Sequence, residues 1–531
     1  MSHRITTRPP VGVAIAPQPD PDVDARFLED AAHYPGGHAS GVVRPRSVEE
    51  LSAVLRAPRP MLAVGAQSSL TGGATPAGDL IIATDFLNTI DDRGDRVHVG
   101  AGVTLQALQD FLGKTGRWLP PVPTYLGAFA GGAVATGAAG AATFKYGTVR
   151  EWVQGLTVVL AGGDLLELSR GECAASTAGV FEIDTSSGTR IIALPALTMP
   201  DVPKKSAGYF IKPGMDLIDL FIGSEGTLGV IADVTFKTAP LPGGLCRAFV
   251  PVPTERDGIA LVDELRREAL RTWRSGNLNG LDISAIEHID ARSIDVVHED
   301  GIDRRLDIHL PPGMSMVLLI DLELSATCAA GDLWREIESA LELAAGDSPL
   351  TRFCRILNRY HVLDDAEITL PGDRGRAAAF AELREAVPSG VNRRVALARQ
   401  RDEAISKTAA DMIVPFHRFG DMMAVCRRLF AERDLDLAVW GHISDGNVHP
   451  NVIPRTADDV RRGLEAITAL GDAVIEMGGC PLAEHGVGRN PVKQQLLRRL
   501  YGGAGVDAMR AIKLSLDPHD ILARGVIFPA Q

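Results

Sequence analysis

Residues 126–142, LGAFAGGAVATGAAGAA, contain no charge and are mostly Gly and Ala. Such a run can cross a bilayer, or it can let backbone press against backbone or against a flat ligand. A membrane span takes about 20 predominantly apolar residues. Gly and Ala are too weakly hydrophobic for that, so the packed reading is taken. The rest of the chain must then fold around a segment whose value lies in taking up no room. The surrounding text, PVPTYLGAFAGGAVATGAAGAATFKYGTVREWV at 121–153, extends the same small-residue character.

Two further stretches share it. AVGAQSSLTGGATP, 63–76, follows a short apolar strand. Amides in a Gly/Ser turn converge on anions, because no side chain blocks the approach and Ser hydroxyls add donors. An ordinary strand-to-strand loop has the same appearance, and both readings stay open. FIGSEGTLGVIADVTF, 221–236, has apolar flanks that read as strand and glycines placed for close approach. No G-x-G-x-x-G opens a helix and no G-x-x-x-x-G-K-[ST] occurs, which disfavours a Rossmann NAD site and a P-loop NTPase.

Around these stretches the chain is organised as two regions. The Pro-rich residues 1–35 read as an arm. RPRSVEELSAVLRA predicts a helix with Ser47 as N-cap and Glu50 three residues on. PMLAVG, LIIATDF, RVHVGAG and LTVVLAGGDLLEL read as strands, and TLQALQDFLGKTG as a helix. Strands and helices alternate to a boundary at TAPLPGG, near 240. Beyond it RAFVPVPT, LDISAIEHID and MSMVLLIDLEL are strands spaced for an antiparallel sheet. DGIALVDELRREAL and GDLWREIESALELA are helices. Residues 375–430 read as mainly helical, and DDVRRGLEAITALGDAVIEMGG as a long helix. There is no internal repeat.

The 531 residues suffice for two or three domains with buried cores. A formal net charge of −13, without a basic block, argues against nucleic acid as partner. The six cysteines form no C-x-x-C pair, so they read as reduced cytosolic thiols rather than a cluster or zinc site. The N-terminus has no apolar core of a signal peptide.

WGHISDGNVHPNV, from Trp440, sets His442 and His449 on either side of an Asp-Gly-Asn turn. On one straight strand, residues seven apart face opposite ways. Folded into two arms, both rings can meet. PLAEHGVGR supplies Glu484 and His485 later in the chain. Two imidazoles and a carboxylate make a divalent-metal site with positions left for substrate. Taken singly, each of these residues reads first as a structural hydrogen-bonding group, and only together do they read equally as a metal site.

The order of the three Gly-rich stretches resembles the FAD-binding domain of the vanillyl-alcohol oxidase superfamily. GSEGTLGVI, GHISDGNVH and AEHGVG narrow the resemblance to the FAD-linked 2-hydroxyacid dehydrogenases, such as D-lactate, glycolate and D-2-hydroxyglutarate dehydrogenases. It covers residues 40–531. The implied fold is α+β. After the arm at 1–35 comes a PCMH-type FAD-binding domain of two α/β subdomains at 36–240. An antiparallel-sheet α+β cap domain carrying the histidines follows at 241–470. A C-terminal helical segment at 471–531 completes the active site.

By the same resemblance, Gly65, Ala66, Gln67, Ser68, Ser69, Leu70, Gly72 and Gly73 wrap the pyrophosphate of a non-covalent FAD. Pro123, Gly131, Gly132, Thr136, Gly140 and Tyr146 line the flavin and ribityl chain. Glu225 and Ile231 lie near the adenine, and Asn447 orients the histidine turn or touches the flavin. His442, His449 and Glu484 are ligands of a divalent metal (zinc, manganese or iron), and His485 is the acid/base. Asn451 binds substrate, and Arg384, in ELREAVPSGVN, takes its carboxylate. Lys407 is a second cation of the region and reads first as structural.

The reaction so implied oxidises a D-2-hydroxy acid to the 2-oxo acid, with hydride going to flavin N5. Electrons pass on to a cytochrome, a quinone or an electron-transfer flavoprotein. A homodimer in the cytoplasm is expected, with no transmembrane segment and at most peripheral membrane contact. The sequence departs from the family pattern at Val64, where Arg is usual, and at Gln67, where Gly is usual. Ala523, Arg524 and Val526 replace Asn, Pro and Lys in the closing motif. The competing readings are an alkyl-dihydroxyacetonephosphate synthase-like flavoenzyme, a zinc hydrolase using the same histidines, and a flavin-binding protein without turnover.

Overall fold

The computed structural model describes residues 2–9, 16–277, 279–325, 330–342 and 347–530. Cys328 and the last two residues of the helix expected over 331–344 lie outside the described residues. The chain divides into two compact units. One comprises residues 1–140, 147–241 and 480–531, the other residues 141–146 and 242–479.

Among the described residues the first unit holds four sheets, of which two bear on the site. Gly41–Val43, Leu80–Ala83 and Met61–Val64 form a three-stranded parallel sheet in that order. Their near-continuous apolar text suits strands covered on both faces. The helix Val48–Leu55 buries Leu51, Val54 and Leu55 in the core with Met61, Leu80 and Ile82. Ser47 caps it by accepting the Glu50 amide, as the local sequence predicts, while the Glu50 carboxylate accepts the amide of Arg46 rather than that of Ser47. The second sheet is antiparallel, in the order Ile90–Asp92, Arg96–Gly100, Val230–Lys237, Val153–Val159, Leu165–Ser169.

Three expectations change here. The strand–helix alternation fails twice, because four strands follow one another from Met61 to Gly100 and four more from Val153 to Ala193 without an intervening helix. The N-terminal flank of GSEGTLG ends a helical turn, Ile218–Phe221, and only the C-terminal flank is strand, Val230–Lys237. A short apolar run buried on every side carries no period that separates the two states. The arm is tied down as well: Arg4–Thr6 pairs in parallel with Val180–Thr185.

The second unit is built on one eight-stranded antiparallel sheet. Its main path runs Glu367–Ile368, Gly244–Val252, Met316–Leu324, Ile283–Asp290, Leu437–Gly441, Asn447–Val452, Thr408–Ala409. The long helix Arg374–Arg399 packs on it through Phe380, Leu383, Val387 and Val391, against Phe249, Ile289, Val317 and Trp440. That spacing of three, four and four keeps one helical face on the sheet. It also fixes the direction in which Arg384, next to Leu383, projects. No described helix is long and apolar enough to cross a membrane.

Candidate active site

In the first unit the three Gly-rich stretches converge. The loop after Met61–Val64 is partly exposed, and the backbone amides of Gln67, Ser68, Ser69 and Leu70 have no acceptor within the described residues. Four consecutive free donors suit an anionic group. Gln67 adopts φ +55°, a left-handed conformation that favours the Gly usual in the family. Its side chain is spent on structure, with Nε2 donating to Phe27 O at 3.0 Å and to Ala74 O at 3.1 Å. Gly72, at φ +74°, lies so close to the Tyr34 ring that a Cβ would come within 2.6 Å of it. The Gly72 amide donates to buried Asp30 at 2.7 Å.

The small-residue run forms a short helix, Ala130–Ala135. Its two glycines meet different surroundings. Gly131 is pressed on Ala101, where a Cβ would approach within 2.5 Å, whereas Gly132 has nothing within 4 Å and is exposed. Thr136 stands one turn beyond Gly132 and donates to its carbonyl at 3.0 Å. Gly132 and Thr136 thus form the open face, and Gly131 serves packing. A Cβ on Gly140 would lie 2.1 Å from the Val122 carbonyl, so Gly140 sits against Val122 and Pro123. Ile231 is buried in its strand opposite Val158. Tyr146 departs from the group: it belongs to the second unit, and its hydroxyl donates to Glu323 at 2.6 Å.

The GSEG stretch is bonded to this helix. The Gly223 amide donates to Val134 O at 2.9 Å and the Glu225 amide to Ala135 O at 2.8 Å. The Glu225 carboxylate accepts the amides of Val487 and Gly488, both at 2.8 Å. Burial pushes its pKa up to about 7, against the lowering by those amides and by Lys493. The loop that carries Glu484 and His485 is thereby part of the same unit as the Gly-rich stretches. Fully buried Lys204 forms an ion pair with Glu484, and the Ser206 amide donates to Leu482 O and Ala483 O.

In the second unit Leu437–Gly441 and Asn447–Val452 form the two arms expected of the histidine stretch, with Trp440 opposite His449. Gly441, at φ +154°, passes so close to Asn447 that a Cβ would be 2.6 Å from its carbonyl, and Gly446 closes the turn at φ +82°. Both imidazoles come together, edge to face, with centroids 5.6 Å apart. Each has a carboxylate behind it. Glu287, on the central strand, is bonded to His442 Nδ1, and Asp411 lies 3.5 Å from His449 Nδ1. Burial alone would raise the Glu287 pKa, but the charges of His442 and Arg384 hold it well below the carboxylate range. Arg384 donates its Nε to the other Glu287 oxygen at 2.7 Å.

The two asparagines brace the hairpin. Asn447 Nδ2 donates to Asp411 and to Met412 O, both at 3.0 Å, and Asn451 Nδ2 donates to His449 O at 3.0 Å. Their Oδ1 atoms are buried acceptors without a donor among the described residues. Lys407 donates to Asn392 at 2.9 Å, and burial lowers its pKa to about 8.

The sequence reading missed Glu287, Asp411 and Lys204. A signal existed for the first: an acid at the centre of the apolar strand text ISAIEHI is costly to bury without a cation or a ligated imidazole. Chemically, two adjacent imidazoles, one with a carboxylate bonded to its Nδ1 and the other with a carboxylate 3.5 Å from its Nδ1, resemble metal-binding histidines, whose second nitrogen fixes tautomer and orientation.

The FAD binding domain family matches residues 39–169, and the family of FAD linked oxidases, C-terminal domain, matches residues 259–527. The chain is 27% identical over 499 residues to the glycolate oxidase subunit GlcD of Bacillus subtilis, covering 92% of this chain and 88% of that one. It is 27% identical over 493 residues to a D-lactate dehydrogenase of Archaeoglobus fulgidus, covering 92% and 90%. It is 28% identical over 503 residues to a D-2-hydroxyglutarate dehydrogenase of Xanthomonas citri, covering 92% and 89%. An alkyldihydroxyacetonephosphate synthase structure shares the fold, with TM-score 0.56 and 14% identity over 91% of this chain and 77% of that one. With an FAD-binding domain ahead of a C-terminal oxidase domain that alone spans half its length, the chain belongs to the FAD-linked oxidases.

Proposed function

We propose that this flavoprotein oxidises a D-2-hydroxy acid of the lactate, glycolate or 2-hydroxyglutarate class to the 2-oxo acid, using FAD and a divalent metal. The observation that carries the reading is the paired imidazoles of His442 and His449, backed by Glu287 and Asp411, in a chain with an FAD-binding domain. His442 and His449 would hold the metal with Glu484 as third ligand, a set that suits zinc, manganese or iron. The free amides of Gln67, Ser68, Ser69 and Leu70 would take the FAD pyrophosphate, and the open face of Gly132 and Thr136 its flavin side.

A divalent cation supplies Lewis acidity toward a hydroxy-acid chelate, and FAD supplies the two-electron acceptor for the C2 hydrogen. The protein's own groups do the rest. His485 takes the hydroxyl proton, a general-base role that an imidazole can fill. Arg384, oriented by Glu287, brings positive charge for the substrate carboxylate. Asn451, whose Oδ1 is a buried free acceptor, orients substrate, and Asn447 holds the hairpin. A cytochrome, quinone or flavoprotein would accept the electrons, and a homodimer in the cytoplasm is the proposed assembly. Anaerobic titration of the purified flavoprotein with D- and L-2-hydroxy acids tests the reading. One D-acid should bleach the flavin; a flavin that none of them reduces overturns the assignment. His442→Ala with His449→Ala should remove bound metal, and unchanged metal content would move the site elsewhere.

A further inference from the structure

We infer that Glu225 is a positioning residue: its carboxylate holds the turn that follows Glu484 and His485 by capturing two consecutive amides. The resemblance placed Glu225 at the cofactor, but the geometry points to another role. Oε1 accepts Val487 N–H and Oε2 accepts Gly488 N–H, each at 2.8 Å. Gly486 and Gly488 are both left-handed, at φ +75° and +59°. That sequence of conformations turns successive amides toward one point. The fit leaves no slack. A Cβ on Gly486 would lie 2.8 Å from Glu225 Oε1, and one on Gly488 would lie 2.2 Å from Thr71 Oγ1.

Glu225 adopts φ +52°, an uncommon conformation for a residue with a side chain. The strain is met where the side chain gains two charge-assisted bonds. Its own amide is bonded to the helix Ala130–Ala135 through Ala135 O, and Arg489, just past the turn, donates its amide to Thr71 O at 3.0 Å. Glu225 therefore stands where the proposed flavin helix, the first Gly-rich loop and the His485 turn meet. The inference rests on the proposed function only for what His485 does, because the holding of the turn is independent of it.

The test uses the FAD-loaded protein with Glu225→Gln and Glu225→Gly. Glutamine keeps one acceptor and turns an amide donor toward the other N–H, whereas glycine relieves the left-handed strain and removes both acceptors. Hydrogen exchange of the Val487 and Gly488 amides should quicken by about tenfold or more in both variants. FAD should remain bound with its affinity within about threefold of wild type. Flavin reduction at saturating hydroxy acid should slow by about tenfold or more, with KM little changed. Loss of FAD with these amides still protected would make Glu225 a cofactor ligand and overturn the inference. Unchanged exchange at both amides would overturn it too. If no hydroxy acid reduces the wild-type flavin, the functional reading fails, and the exchange result still decides the role of Glu225.

Discussion

Replacing Glu287 by Gln tests the second unit's polar centre most directly. The carboxylate is buried, bonded to His442 on one oxygen and ion-paired with Arg384 at 2.7 Å on the other. Glutamine keeps the volume and one acceptor but turns an amide donor toward either the guanidinium or the imidazole. Breaking a buried pair costs about 3–5 kcal/mol, because the surviving charge is left uncompensated. Since one acceptor survives, about 3 kcal/mol is expected. For a cooperative unit of this size that is a fall of about 6–12 °C in the thermal midpoint of the FAD-loaded protein. Adding Arg384→Gln should recover part of the loss, with a coupling of about 0.5–3 kcal/mol, because no cation is then left unpaired. In equilibrium dialysis against Zn2+, Glu287→Gln should also weaken binding by about 10–100-fold, since His442 loses the partner that sets its tautomer. A midpoint within 2 °C of wild type, together with strictly additive effects in the double variant, would refute the argument.

Other perturbations read out different parts of the structure. His288 is buried, neither ring nitrogen has a hydrogen-bond partner among the described residues, and burial lowers its pKa from 6.5 to about 3. Between those values the unfolded chain binds the proton and the folded one does not, so stability falls with acid by about 1.4 kcal/mol per pH unit below 6.5. His288→Phe should therefore gain about 2 kcal/mol on wild type in going from pH 7 to pH 5 by urea unfolding, and a constant difference would contradict this. Tyr146→Phe should cost about 1.5–3 kcal/mol through the lost bond to Glu323 while FAD content stays at wild-type level; FAD loss would restore Tyr146 to the cofactor. Gly488→Ala should lower the thermal midpoint by several degrees, because its Cβ would meet Thr71 at 2.2 Å and its φ is left-handed, and a neutral substitution would show that the turn yields.

Much of the architecture was readable because its causes are local. Ser47 and Glu50 cap a helix by contacts three residues apart, and Gly446 permits the reversal that brings His442 to His449 across seven residues. The Gly/Ala run declared that backbone would approach something closely, and Gly131 and Gly140 do so. What the run could not declare is which glycine faces outward, since that depends on where Ala101 lies.

The partners that give the site its electrostatics were illegible for the same reason. Glu287 reaches His442 across 155 residues, and Lys204 reaches Glu484 across 280. Nor did spacing indicate that Tyr146 belongs with Glu323, or that Glu225 spends its carboxylate on the turn after His485. By itself the sequence determined which residue types bear the chemistry and how each short stretch turns, because φ/ψ preference, capping and side-chain alternation act within a few residues. Only the tertiary structure decided which charge compensates which. A buried ion is stabilised by whatever group folding brings within about 3 Å, and chain separation places no limit on that distance.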